Sequence, residues 1–364
     1  MPRPLADHSR AQYPDWHLSG TYSRLRNRCE TASVEVVVNA NSASRANWLL
    51  FIALGFFWGS SYLFIKIGVD AGLTPFTLVT LRLLVGTILL ATVVFAARER
   101  LPRDPKIYLH LLVLGFFSVA LPFSLITSAE QHVDSALAAT LTAPVPLFVI
   151  PIAAVVLHEK ITLAKVIGVI VGLLGVAVLM GFDPAQIGRT DLTPQLILIG
   201  ATISYAFGGV YARRFVHGLR PMIPALFQVF FALLMVAVSA LVFENPIGLI
   251  GSLPPEAIVA VVWLGFFGSG LAYLVFFRLL GHWGPTRTSL VAYTLPVWGI
   301  ALGFMVLHEP IQQGLVLGTV LVIVGIALVN LQRQALAARF RQVRARFGRA
   351  DTDSPIPDPA SGPR

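Results

Sequence analysis

The sequence predicts an all-α polytopic membrane protein in which ten transmembrane helices form two inverted five-helix repeats. Composition, hydropathy and internal similarity each point to this fold. Of the 364 residues, 56% are hydrophobic and only 12% are charged, and the mean hydropathy is +0.76. Soluble domains carry about 25% charged residues. A bilayer accommodates this much apolar surface, whereas the core of a soluble domain does not.

Ten apolar runs, each roughly 18–25 residues long, match the length that an α-helix needs to cross about 30 Å of hydrocarbon. Short polar breaks separate them, and the breaks after the third and eighth runs are the least distinct. The predicted spans are 47–68, 75–97, 107–128, 134–157, 163–181, 194–212, 221–243, 256–279, 286–307 and 311–331.

The distribution of Lys and Arg predicts the orientation. With the N-terminus inside, the five outer loops carry only Arg189. The cytoplasmic loops and adjoining helix ends carry eleven basic residues: Arg98, Arg100, Arg103, Lys106, Lys160, Lys165, Arg213, Arg214, Arg220, Arg278 and Arg287. This asymmetry is typical of the positive-inside rule. Both termini are therefore predicted to be cytoplasmic, in a protein of the inner membrane.

Two tails flank the spans. Residues 1–46 are polar and predict a disordered tail, and Cys29, the only cysteine, excludes a disulfide framework. Residues 332–364 begin with "QRQALAARFRQVRARFGRA", whose arginines predict an amphipathic helix on anionic lipid; a solvated charged tail is the alternative. The last fifteen residues are predicted to be disordered. The net charge of +9 lies at helix ends and in tails, which argues against a nucleic-acid partner.

The two halves of the sequence resemble each other at an offset of 150 residues. "LGFF" occurs at Leu114–Phe117 and at Leu264–Phe267, and Leu157–Glu159 and Leu307–Glu309 are both Leu-His-Glu. Pro146 and Pro296 correspond in the same register, while Arg82 and Gln228 correspond only approximately. Because each half has an odd number of helices, the second half is predicted to be inverted. Such inverted repeats are typical of transporters with a midplane site that opens alternately to each side.

These motifs resemble the EamA-type branch of the drug/metabolite transporter superfamily. The similarity includes "HEKIT" after the fourth helix, "RLLVG" in the second, and the proline-containing segments "APVPLFVIP" and "YTLPVWGIA". It covers residues 47–181 as a first repeat and 194–331 as a second. The resemblance implies ten helices and the transport of a small metabolite such as an amino acid, purine or drug, without identifying which.

Arg82 is the principal candidate for substrate binding. It lies inside the second predicted helix, where a charge costs at least about 2.5–3.5 kcal/mol on insertion scales, so it requires a cavity, a partner or the headgroups. It is expected to bind a carboxylate or phosphate, with carbonyl capping or snorkelling as the alternative. The other candidates are polar or aromatic residues predicted near the centre: Trp58, Ser61, Tyr62, Tyr205, Gln228, Tyr273 and Tyr293. For each of these, helix packing is the alternative role.

Two kinds of residue are expected to shape the helices or their ends. Pro146 and Pro296 predict symmetric kinks that gate the cavity, with simple bending as the alternative. His158 and His308, together with Glu159 and Glu309, are interpreted as loop and capping groups.

Other charged residues are not expected to form a proton relay. Lys66 is expected to snorkel to the outer surface. Glu130 and Asp134 are expected to lie at or near that surface with no special role, and no pair of carboxylates lies deep within one span.

A transporter without cofactor or metal, moving an amino-acid-like or drug-like solute outward, is the predicted function. The alternatives are a membrane-embedded enzyme and a membrane scaffold. No GxSxG, HExxH or GxGxxG motif supports an enzyme. The partners predicted are the solute and the bilayer. The sequence does not decide whether two copies form a homodimer.

Overall fold

The computed structural model describes residues 19–159, 161–181, 191–216, 218–246, 248, 251 and 253–328, and within these ranges the side chains from residue 45 onward except those of 284–287 and 289. Outside these residues lie the first part of the predicted disordered tail, 1–18, the predicted lipid-binding segment 332–350, the last fifteen residues that are also predicted to be disordered, Lys160 and Arg189.

All regular elements among the described residues are helical. They are α1 Ser19–Asp70, α2 Pro75–Ala96, α3 Pro105–Gly115, π1 Phe116–Ala120, α4 Leu121–Ala129, α5 Ser135–Thr142, α6 Val145–Val156, α7 Leu163–Leu179, α8 Thr193–Phe215, α9 Met222–Phe243, α10 Pro255–Trp263, π2 Leu264–Leu271, α11 Ala272–Thr288, a 3-10 turn Ser289–Tyr293, α12 Thr294–Leu307 and α13 Gln313–Leu328.

Eight stretches of helix among the described residues are long and apolar enough to cross a membrane. They are Arg45–Asp70, Pro75–Ala96, Pro105–Ala129, Ser135–Val156, Thr193–Phe215, Met222–Phe243, Pro255–Trp283 and Leu290–Leu307. The fifth and tenth predicted spans correspond to two shorter apolar helices, α7 and α13. Large apolar side chains such as Leu163, Phe243 and Met305 are exposed on the outer faces of these helices, as a surface in contact with lipid requires.

Helix α1 begins well before the first predicted span. Helix α1 begins at Ser19 and continues to Asp70, so residues 19–46 are helical here. Neither proline nor glycine occurs between Gly20 and Gly55, and a helix extends easily through a segment without breakers. By its contacts the chain divides after Leu49, and the features described below belong to the second unit, which begins at Leu50.

Backbone irregularities recur at the 150-residue offset. The π-helical segments π1 and π2 both follow directly on an apolar helix and include equivalent "FF" residues. His158 and His308 both adopt left-handed conformations, with φ of 54° and 55°. Non-glycine residues rarely adopt positive φ. Two equivalent occurrences indicate that the halves share a backbone design as well as a sequence pattern.

Glycine contacts between the halves are also paired by the offset. A Cβ atom on Gly175 would lie 2.8 Å from the carbonyl oxygen of Gly318, and a Cβ on Gly325 would lie 2.7 Å from that of Gly168. Positions 168 and 318 are equivalent under the offset, and so are positions 175 and 325. The two contacts are therefore equivalent, with the roles of the halves exchanged. Helices α7 and α13 therefore pack with backbones in direct contact, which only glycine permits.

Replacing Gly175 by alanine is expected to destabilise the protein. The new methyl group would meet the Val322 nitrogen at 2.7 Å as well as the Gly318 carbonyl, and backbone atoms cannot turn aside as a side chain can. Overpacking of this kind costs about 1–3 kcal/mol. Thermal unfolding in detergent is expected to show a lower Tm for Gly175→Ala. The control is Gly209→Ala, whose Cβ has no atom within 4 Å; equal Tm values for the two variants would contradict this packing.

Equivalent helices run in opposite directions. The start of α2 contacts the end of α9, where the Phe76 nitrogen donates to the Glu244 carboxylate over 2.9 Å. The end of α2 contacts the start of α9, where Arg220 pairs with Glu99 at 2.7 Å. Likewise, the start of α5 contacts Glu309, just beyond the end of α12. We call the two ends of the bundle the Glu309 end and the Glu99 end.

Candidate functional site

Arg82 is buried at the middle of α2, with 3% of its surface exposed. Its Nε donates a hydrogen bond to the Ser269 hydroxyl over 3.2 Å, and its Cζ lies 4.2 Å from the centre of the Phe123 ring. Four ion pairs occur among the described residues, and none of them involves Arg82. A hydroxyl and an aromatic face orient the guanidinium without neutralising it. The site therefore retains a net attraction for an anionic group.

Aromatic side chains surround this guanidinium. Tyr62, Tyr205 and Tyr273 interact with it electrostatically. The Trp58 ring packs edge-on against Tyr273, with ring centroids 6.1 Å apart. Tyr62 also shares a short hydrogen bond with Thr142 at the end of α5. These contacts bring together Arg82 and four of the other candidate residues, on α1, α2, α8 and α11.

Ser61 lies beside the same cluster, because Gly268 is close to both Ser61 and Arg82. A Cβ atom on Gly268 would lie 2.8 Å from the Ser61 hydroxyl oxygen and 3.4 Å from a guanidinium nitrogen of Arg82. The Ser61 hydroxyl itself donates to the Phe57 carbonyl at 2.9 Å. Gly268 thus leaves room for α1 and α2 to approach π2, and π-helical segments are frequent at functional sites.

Gln228 occupies the position on α9 that is equivalent to Arg82 on α2. A Cβ on Gly265 would lie 2.8 Å from the Arg82 carbonyl, and a Cβ on Gly115 would lie 2.7 Å from the Gln228 carbonyl. The approximate correspondence from sequence is therefore a structural equivalence. The side-chain environments nevertheless differ, because Ser269 in one half corresponds to Val119 in the other.

The remaining candidates lie beside the cluster. Tyr293 ends the 3-10 turn and packs against the apolar core that contains Tyr62. Pro146 and Pro296 both lie in the first turn of a helix, α6 and α12, directly after a break. A proline is tolerated there because the first-turn nitrogens need no intrahelical acceptor. The two prolines thus mark equivalent broken helices; a role in gating stays a prediction.

Two carboxylates cap helix starts at the Glu309 end. Glu309 accepts hydrogen bonds from the backbone nitrogens of Ser135 and Ala136 at 2.8 and 3.0 Å, and so caps α5. Glu244 accepts from the backbone nitrogens of Phe76 and Thr77 at 2.9 and 2.8 Å, and from the Thr77 hydroxyl at 2.7 Å, and so caps α2. The capping role expected for Glu309 is confirmed. Each carboxylate ties a helix end of the second half to a helix start of the first.

The Glu99 end is arranged differently. Glu99, just beyond the end of α2, pairs with the exposed Arg220 side chain instead of capping α9. Glu159 pairs with Arg213 and, at 3.8 Å, with Lys165. A cavity of about 380 Å³ lies at this end, between the start of α9 and α11. Its lining consists of Glu99, Arg220, Pro221, Met222, Ala225, Leu274, Phe277 and Arg278.

The expectation for Glu130 is wrong. Glu130 lies one residue beyond the end of α4, a position that is typical of a surface loop, yet its side chain has no exposed area. The Lys66 amino group donates to the Glu130 backbone carbonyl over 3.1 Å and pairs with Asp70 at 3.4 Å. The Lys66 contact brings α1 against the end of α4, beside the enclosed Glu130 side chain.

Ser269 and Phe123 complete the environment of the candidate residues but were not among them. Ser269 had a detectable signal, since it is a polar residue where the equivalent position of the first half is Val119. Phe123 is one of 24 phenylalanines, and no sequence pattern distinguishes it. Within the described part of the chain, no group of three or more His, Cys, Asp or Glu side chains is placed to hold a metal ion.

Comparison with family models gives two matches to the EamA-like transporter family, over residues 46–181 and 192–331. These ranges agree with the two repeats predicted from sequence.

Relatives that match over most of their own length are described as transporters. The uncharacterized transporter YoaV of Bacillus subtilis is 25% identical over 76% of this chain and 93% of its own length. An uncharacterized transporter of Archaeoglobus fulgidus is 27% identical over 79% of this chain and 99% of its own length. The uncharacterized inner membrane transporter YedA of Escherichia coli K12 is 27% identical over 79% of this chain and 91% of its own length. A crystal structure that is 22% identical superposes with a TM-score of 0.57 over 79% of this chain and 98% of that one, which supports the fold.

Proposed function

Because the chain belongs to the EamA-like transporter family, we propose that this multi-pass helical membrane protein exports a small organic solute by alternating access. The relatives described as transporters agree with this activity rather than with an enzyme. The observation that carries the proposal is the Arg82 guanidinium, buried among tyrosines and without an ion pair among the described residues.

The chemistry around Arg82 favours a solute with one anionic group and an apolar or aromatic body. A guanidinium binds carboxylate and phosphate through paired N–H donors. The Tyr62, Tyr205, Tyr273 and Trp58 side chains offer ring faces and edges to the remainder of such a molecule, and the tyrosines add hydroxyl groups. An amino-acid-like or drug-like carboxylate satisfies both requirements.

The proposal places ten helices across the inner membrane with both termini in the cytoplasm. The two helices that complete the count, α7 and α13, are shorter than the others; α7 has 17 residues. A helix of that length spans roughly 25 Å and crosses the bilayer if the bilayer thins locally. The opposite directions of equivalent helices support inverted repeats. The Glu99 end, which carries Arg98, Arg213 and Arg220, is the cytoplasmic side under the positive-inside rule.

The difference between the two ends supports alternating access. Glu244 and Glu309 hold the outer end closed by capping α2 and α5, while the cavity beside Glu99 lies at the cytoplasmic end. Because Glu99 lies just beyond the end of α2 and faces the start of α9, much as Glu244 lies beyond α9 and faces the start of α2, an outward-open state is expected to exchange the two arrangements. Glu99 would then leave Arg220 and cap α9, while Glu244 would release α2.

Counterflow in proteoliposomes tests the proposed function. Vesicles are loaded with one unlabelled solute from a panel of aromatic and aliphatic amino acids, other carboxylates, phosphates and neutral analogues, and uptake of the labelled solute is followed. Saturable uptake that is stimulated by an anionic solute inside the vesicle is expected. Inside-out membrane vesicles are expected to accumulate that solute, which would establish export. Uptake equal to that of protein-free liposomes for every member of the panel would contradict the proposal.

A further inference from the structure

Glu130 is a buried acid that the proposed transport site does not use. It follows α4 directly, and no part of its surface is exposed. Both of its carboxyl oxygens lack a hydrogen-bond partner among the described residues. The hydroxyl groups of Thr127 and Ser135, in the helices on either side, are also buried without a partner. An ionised carboxylate is rarely left in this condition, since neither water nor a donor stabilises its charge.

The surrounding charges do not neutralise this carboxyl group. The groups that interact with it electrostatically are Glu309, Lys66, Arg82 and Asp70, together with the Tyr62 hydroxyl. Within its own loop, His132 and Asp134 are exposed. Lys66 uses its amino group on the Glu130 backbone carbonyl and on Asp70, and Arg82 donates to Ser269.

Glu309 adds a second negative charge on the same side of the bundle. Its two oxygens accept backbone N–H groups at the start of α5. Glu130 lies one residue beyond the span that ends at Ala129, and burial, followed by the Glu309 charge, raises the pKa of the Glu130 carboxyl well above its usual range.

The repeat shows that the fold itself does not require an acid here. The position equivalent to Glu130 in the second half is Leu280, which ordinary apolar packing accommodates. Glu130 is therefore an acidic residue that the first half carries and the second half lacks. It lies at the end of the bundle that Glu244 and Glu309 hold closed.

We propose that Glu130 is a proton-binding site whose occupancy depends on which end of the transporter is open. Closure of the Glu309 end encloses the neutral acid, and opening of that end exposes it to water, where it releases the proton. One proton is thus bound on closing and released on opening. This inference rests on the proposed alternating access, and it makes the balance between the two states depend on pH.

The direction of the pH dependence follows from the two environments. In the open state the carboxyl is hydrated and titrates near its usual range, whereas in the closed state it titrates higher. Protonation of Glu130 therefore favours the closed state fully at low pH. This advantage is lost as the pH rises from the pKa of Glu130 in the open state to its pKa in the closed state. For one proton, the closed-to-open ratio falls by up to about tenfold per pH unit.

A spin-label distance across the Glu309 end tests the proposal. Labels at Ala71 and Asn245, in full-length protein carrying Cys29→Ser and held in nanodiscs, report the closed fraction without any substrate. The wild-type closed fraction is expected to fall as the pH is raised. Glu130→Gln, which is neutral at every pH, is expected to stay closed throughout. Asp134→Asn, an exposed carboxylate in the same loop, is the matched control and is expected to titrate like the wild type.

Two results would overturn the proton site: a wild-type closed fraction that does not change with pH, or a Glu130→Gln protein that titrates like the wild type. If Glu130→Gln does not fold, the wild-type protein provides the test. At neutral pH it is expected to show the infrared C=O band of a protonated carboxylic acid shielded from D2O exchange, and absence of that band overturns the proposal. Because the distance readout needs no solute, a protein that fails to transport but titrates as expected would refute the proposed function alone.

Discussion

Transport by Arg82→Gln is expected to fall roughly 10- to 100-fold at low solute concentration, because hydrogen bonds to charged groups contribute about 1.5–3 kcal/mol. Glutamine places an N–H donor where the Arg82 Nε donates to Ser269, but it lacks the charge and the two terminal nitrogens, so the loss would reflect the charged guanidinium group. Arg82→Lys is expected to recover only part of the rate. Lysine restores the charge but not the planar guanidinium that lies over Phe123 and presents paired donors.

The matched control is Arg214→Gln, which removes an exposed arginine from the end of α8. It is expected to transport like the wild type. All variants are compared at equal reconstituted protein and after a Tm measurement, since a buried arginine also contributes to packing. Wild-type rates in both Arg82→Gln and Arg82→Lys would remove Arg82 from the binding site and leave it a structural residue.

Loss of the Glu244 charge is expected to shift the protein toward the outward-open state. In Glu244→Gln, the amide nitrogen competes with the Phe76 and Thr77 nitrogens for the same space, and the attraction of a carboxylate for the start of α2 disappears. Loss of a helix cap costs about 0.5–2 kcal/mol, and charged hydrogen bonds contribute more. We expect the closed-to-open ratio of the Glu309 end to fall roughly 30-fold, an energy of about 2 kcal/mol.

Accessibility of a cysteine placed near this end measures that shift. The control is Glu256→Gln, which removes an exposed carboxylate from the first turn of α10 at the same end of the bundle. It is expected to leave accessibility unchanged. If Glu244→Gln and Glu256→Gln label at the same rate, the Glu244 cap does not hold the outer end closed.

Hydropathy predicted the helices because the bilayer imposes a nearly fixed length on each span. The structure places helix ends within a few residues of most predictions, as at Pro75–Ala96 and Met222–Phe243. The eighth-to-ninth break was one of the two least distinct, and there the chain continues through a 3-10 turn between α11 and α12. The repeat also predicted the equivalence of Arg82 and Gln228, because both halves fold onto the same backbone design.

Burial at loop positions is not encoded in local patterns. Glu130 is polar and follows a helix directly, which is typical of the surface, and only the packing of other segments encloses it. The Arg82–Ser269 contact joins residues 187 positions apart, so it depends on how the halves meet. The Glu244 cap on α2 is similarly distant in sequence, and capping residues next to a helix start are the only ones that local patterns indicate.

The central claim is that the two ends of the bundle open alternately, and paired spin-label distances test it most directly. One pair, Ala71 and Asn245, spans the Glu309 end, and the other, Ala97 and Pro221, spans the Glu99 end, both in a Cys29→Ser background. When Glu244→Gln is introduced, the first distance is expected to lengthen while the second shortens. If both distances lengthen together, or if the second does not change while the first does, the ends are not coupled and alternating access is contradicted.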